Sequence, residues 1–171
     1  MQRVFLVTAI LIVAIVFALQ GLSPTFQLPD AQALAVDAPA EEAGDLAAAL
    51  VDIYFEVDML GLQDATAQGL EKDFDVPQNI YSRVYGKYTD GRFGIADVII
   101  LQPRPGREDE CREALQSIKL QRMDFFKKFD VYNAHDLAQE GEIFYRGNYY
   151  ILLMIEDMSR VQSILEQYIP R

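Results

Sequence analysis

Phe93-Gly94-Ile95-Ala96-Asp97-Val98-Ile99-Ile100-Leu101 is the most strand-prone run beyond the N-terminus, and it is apolar on both alternating faces. A strand apolar on both sides belongs inside a sheet, not at its edge. One carboxylate, Asp97, stands in its middle and shares a face with Phe93, Ile95, Ile99 and Leu101. Burying an unpaired charge is costly, so Asp97 calls for a partner.

Just before this run, Ile80 to Tyr88 reads as a second strand, and Thr89-Asp90-Gly91-Arg92 lies between the two. Asp-Gly between apolar runs is a strong hairpin signal. A two-residue Asp90-Gly91 turn pairs Tyr88 with Phe93, Val84 with Asp97 and Tyr81 with Ile100. The Asp97 face is then the core face. The reverse face carries Tyr81, Arg83, Tyr85 and Lys87 and is at least partly wet. Alternating aromatic and basic residues can stack a ligand or grip an acidic peptide, although the pattern is also ordinary for a half-exposed sheet.

Beyond Pro103 and Pro105 a long helix runs from about Arg107 to Phe129, acidic early and basic late, as the helix dipole favours. Helical projection places Cys111, Leu115, Ile118, Arg122, Phe125 and Phe129 on one stripe, with Ala114 and Phe126 at its margins. Arg122 near the centre of that stripe is the counterpart of Asp97. The expectation is a buried ion pair between them, fastening helix to sheet. The alternative is an Asp97 bonded to backbone or to Tyr88, with Arg122 reaching solvent.

Asn133 can cap a short helix ending near Gly141. Glu142 to Arg146 and Tyr149 to Glu156 are strands around Gly147-Asn148, and Asp157 or Ser159 can cap a last helix with Val161, Ile164, Leu165 and Tyr168 inward. Upstream, Leu46 to Leu60 carries helical spacing, with Asp45 as N-cap and Gly61 as stop. Asp64 can cap a helix over Ala65 to Phe74. The expected fold is therefore α+β: a four-stranded, mainly antiparallel sheet from two hairpins, packed on one face by the long central helix and flanking helices. How the hairpins join does not follow from these patterns.

The chain has 171 residues and three segments: 1–22, an anchor or signal; 23–44, an Ala, Pro and acid-rich tether; 45–171, the single folded domain. Val4 to Leu19 is uncharged and apolar behind Arg3, and no positive charge follows until Lys72. That asymmetry places the C-terminal side outside the cytoplasm. Two outcomes fit: a single-pass anchor in the cell membrane, or secretion after signal cleavage. The net charge of −11 argues against nucleic acid and against docking on an anionic lipid surface.

Chemistry-bearing motifs are sparse. Cys111 is the single cysteine and His135 the single histidine. No phosphate loop, Cys-x-x-Cys pair or nucleophile elbow occurs, so neither a catalytic residue, a metal site nor a cofactor is expected.

From about Leu46 onward the chain resembles the family called domain of unknown function 4358. The residues that carry the resemblance are Ala96-Asp97-Val98-Ile99-Ile100-Leu101, the helix from Arg107 through Ala114, Leu115 and Arg122, Phe129-Asp130-Val131-Tyr132, and Arg146-Gly147-Asn148-Tyr149. The resemblance implies an exported protein of a Gram-positive bacterium, often a lipoprotein, and supplies no catalytic residues. Leu19-Gln20-Gly21-Leu22 departs from that pattern, since leucine stands where a lipidated cysteine would be. The expected function is a membrane-tethered binding module of the cell envelope whose partner is an envelope protein, a peptide or a glycan. The alternative is an envelope-located hydrolase using a carboxylate site.

Overall fold

The computed structural model describes residues 45–171. The anchor and tether expected over 1–44 lie outside the described residues. Among those described, no helix is long and apolar enough to cross a membrane.

Among the described residues, five strands form one antiparallel sheet, β1 (Leu62–Asp64), β2 (Tyr81–Thr89), β3 (Asp97–Pro103), β4 (Glu142–Arg146) and β5 (Tyr149–Met154), in the order β1-β2-β3-β5-β4. The two strands apolar on both faces, β3 and β5, lie side by side inside it, with Asp97 opposite Met154 and Ile100 opposite Ile151. That pairing joins the two hairpins. The fifth strand, β1, has almost no strand propensity of its own; it exists by pairing along β2, Leu62 opposite Thr89 and Asp64 opposite Lys87. Short strands at both margins limit the exposed edge.

The helices are α1 (Leu46–Tyr54), α2 (Ala67–Phe74), α3 (Glu108–Lys128), α4 (Ala134–Glu140) and α5 (Met158–Tyr168). They cover both faces of the sheet, not one as expected. On the Asp97 face, Leu70 and Phe74 of α2, Leu115 and Ile118 of α3, and Ala138 of α4 pack on Ile99, Leu101 and Leu152. On the reverse face, Leu46, Ala49 and Ile53 of α1 and Val161 and Leu165 of α5 pack on Val98, Ile100, Ile151 and Leu153. Each leucine, isoleucine, valine or phenylalanine among them contributes about 1.5–3 kcal/mol when taken from water. A sheet whose central strands are apolar on both sides needs both covers.

Local signals set most helix starts. Asp45 accepts hydrogen bonds from the Ala47 and Ala48 amides at 3.1 and 3.2 Å, and Asp157 caps α5 through the Arg160 amide at 3.2 Å. Thr66, not Asp64, caps α2, accepting from Gly69 N at 3.0 Å. Asn133 stands at the α4 N-cap in left-handed conformation without using its side chain; Asp130 accepts from His135 N instead, at 3.1 Å. Helix α1 ends at Tyr54, so residues 55–61 are loop and not the last turns of a helix. In α3 the buried stripe runs Cys111, Leu115, Ile118, Arg122 and Phe126, while Phe125 and Phe129 are exposed.

The first hairpin is longer than the Asp90-Gly91 turn implied. Val84 pairs with Leu101, Gly86 with Ile99 and Lys87 with Val98, a slip of four residues that leaves 90–96 as a loop. Asp90 turns back on its own loop, Oδ1 accepting from Arg92 N at 3.0 Å, and the Asp90 amide donates to Gly61 O. Because four is even, the slip preserves which residues share a face. Gly86, with φ of +128°, has no room for a side chain: a Cβ there would lie 1.9 Å from Val98 O.

Candidate functional site

The structure brings Asp97 and Arg122 together. Asp97, fully buried on the first residue of β3, accepts from Arg122 Nε at 2.8 Å through Oδ2. Its Oδ1 accepts from the Thr89 amide at 2.8 Å and faces the Thr89 hydroxyl at 3.1 Å. Arg122 Nη2 also donates to Thr89 O, and the guanidinium lies 5.0 Å from the Phe74 ring centroid. Charge, hydrogen bonds and an aromatic face thus satisfy both ions where water is excluded. Burial pushes the Asp97 carboxyl above its usual range, opposed by the Arg122 charge and the Thr89 donors. The network ties α3 to both ends of the 90–96 loop, whose Gly94 carbonyl also faces the Thr89 hydroxyl at 3.0 Å.

The structure does not bring Tyr81, Arg83, Tyr85 and Lys87 onto one open face. A register irregularity between Tyr81 and Arg83 inserts an extra residue at Ser82, which turns Tyr81 inward among Ile99 and Leu101. Tyr85 is half-buried, edge-on to Tyr149 at 6.2 Å between ring centroids. Lys87 pairs with Asp64 at 2.6 Å, and Arg83 alone of the four is exposed. Helices α1 and α5 occupy the face that was expected to be wet.

Cys111 is buried, its Sγ 3.4 Å from Ile80 O, and burial beside Glu110 and Glu108 pushes its thiol up to about 11. Such a thiol is a small hydrophobe and a poor nucleophile. His135 is half-buried, with Nδ1 3.7 Å from Asp136. Among the described residues, no three histidine, cysteine or acidic side chains gather as metal ligands.

A concavity lies elsewhere among the described residues, at the end of the sheet where β2 and β5 finish and β3 begins. It is a cleft of about 640 Å³ built by three loops, 55–61, 90–96 and 155–157, with Tyr132 from the α3–α4 connection on its rim. Ile95, Ala96 and Ile155 form its buried floor, while Leu60, Phe93 and Tyr132 are 67%, 41% and 81% exposed. Four carboxylates line it, Glu56, Asp58, Glu156 and Asp157, against one guanidinium, Arg160. Arg160 is engaged by the Asp52 and Ile53 carbonyls at 3.1 and 3.4 Å and by Glu56 at 3.5 Å. Tyr54 braces the wall from behind, its one hydroxyl hydrogen shared between Ala96 O at 2.8 Å and Lys87 O at 3.1 Å.

Sequence reasoning singled out no cleft residue for a binding role. The available signal was Met59-Leu60 beside acids, read as a helix end, and no local pattern shows that 55–61, 90–96 and 155–157 converge. No family model, no curated protein and no solved structure matches this chain.

Proposed function

We propose that the protein is a membrane-tethered, extracytoplasmic binding module of the bacterial cell envelope, and that it engages its partner in the loop-built cleft. The export asymmetry around Val4 to Leu19 supports the location. The observation that supports binding is the cleft itself, where Leu60, Phe93 and Tyr132 stand exposed around an apolar floor. Concave apolar surface with a few polar groups is the usual form of a ligand site, of about 300–1,000 Å³.

The test is site-specific photocrosslinking in intact envelopes, with the crosslinker at Tyr132 or at Arg83. Adducts formed from Tyr132 and not from Arg83 support the reading; adducts from Arg83 alone sink it.

The carboxylates in the cleft favour a second reading, an envelope hydrolase. A general acid needs a carboxyl shielded from water, and Glu56, Asp58, Glu156 and Asp157 are all exposed. Release of reducing sugars from purified cell wall, abolished by Asp58→Asn or Glu156→Gln, would favour the hydrolase over the module.

A further inference from the structure

We infer that the cleft takes a short cationic, apolar polypeptide segment, with lysine or arginine side chains alternating with large aliphatic ones. This rests on the reading of the cleft as the binding surface and names what fits it. The rim carries three negative charges more than positive ones, and its single cation is already committed. Arg160 is held by two carbonyls of α1 and by Glu56, and Asp157 accepts from the Arg160 amide as the cap of α5. Among the described residues, Asp58 and Glu156 have no ion-pair or hydrogen-bond partner through their side chains. They flank the floor of Ile95, Ala96 and Ile155.

The rings repeat the preference. Phe93 and Tyr132 are exposed rings, and aromatic π faces attract cations. Phe93 already receives one: the Arg92 guanidinium lies 5.7 Å from its centroid, clamped by Asp90 at 2.6 Å. An anionic ligand, or a surface of anionic lipid, meets repulsion from the same carboxylates. A ligand with charge and no apolar side chains leaves the floor of the cleft and Leu60 in water. Both requirements together describe a basic, aliphatic stretch of polypeptide.

The full chain in phosphatidylcholine nanodiscs, carbon-13 labelled at the methionine methyl groups, provides the readout, because Met59 lines the cleft and Met123 lies in α3 away from it. The probes are three hexapeptides, lysine–leucine, glutamate–leucine and lysine–serine, together with muramyl dipeptide. The lysine–leucine peptide is expected to move the Met59 signal, leave Met123 in place and weaken with salt. Joint Asp58→Asn and Glu156→Gln substitution, both at exposed positions, is expected to lower its affinity about three- to tenfold at an unchanged unfolding midpoint.

Equal binding of the glutamate–leucine or lysine–serine peptide, or a double variant with unchanged affinity, overturns the cationic, apolar ligand while Met59 still reports an occupied cleft. Muramyl dipeptide moving Met59 when the lysine–leucine peptide does not has the same meaning. Failure of every probe to move Met59, or movement at Met123 alone, overturns the cleft as binding surface and this ligand with it.

Discussion

The two faces of the sheet are built from the same strands and held by different physics. On one, Asp97, Arg122 and Thr89 form a charged network sealed under α2 and α3. On the other, Val98, Ile100, Ile151 and Leu153 meet α1 and α5 through aliphatic contact, with polar links at the Tyr54 hydroxyl, which donates to Ala96 O, and at Arg146 of β4, which donates to the Ile169 and Glu166 carbonyls. The difference is one of tolerance. An aliphatic face loses stability in proportion to what is removed, whereas a charged network strands a buried ion when one partner goes.

The largest expected effect is on the charged face. Asp97→Ala and Arg122→Met should each destabilise by about 3–5 kcal/mol, and the double variant by less than their sum. Urea unfolding followed by circular dichroism measures all three; strictly additive losses would show that the two residues do not act as a pair.

Alkaline pH acts on both faces. Tyr54 and Tyr88 have hydroxyls held above the usual value near 10.0, first by burial, then by Asp97 for Tyr54 and by the Asp73 hydrogen bond for Tyr88. Above that value the unfolded chain releases protons that the folded chain keeps. Stability is therefore full below it and declines as pH rises toward the folded values. Unfolding midpoints compared at about pH 8 and about pH 11 should show the drop, and Tyr54→Phe should reduce it.

At neutral pH, Tyr54→Phe should cost only about 1 kcal/mol, one neutral hydrogen bond. A loss as large as that of Arg122→Met would erase the contrast between the faces. Smallest of all, Val51→Ser at a 66% exposed side chain of α1 should change stability by no more than about 0.5 kcal/mol.

The register of the first hairpin shows how far local patterns reach. Asp90-Gly91 marked the bend correctly and its length wrongly, because Asp97 takes the Thr89 amide and hydroxyl and draws 90–96 into a loop. The face assignment survived, since side chains alternate with period two and the slip was even. Tyr81 changed faces because the bulge at Ser82 added one residue, an odd step. Phe125 and Phe126 exchanged roles because they flank the stripe on opposite sides, and only Phe126 meets the core.

The sequence by itself determined the α+β class, the centrality of β3 and β5, most of the helix starts and the two misplaced charges. Each depends on residues within a turn or two of one another, where periodicity and capping operate. Only the tertiary structure decided that β3 lies beside β5, that both faces are covered, and that three loops far apart in the chain meet around Ile95 and Ile155. Those outcomes come from matching apolar surfaces across long sequence separations. A cleft made of strand ends has no local pattern, because each loop contributes only a fraction of its wall.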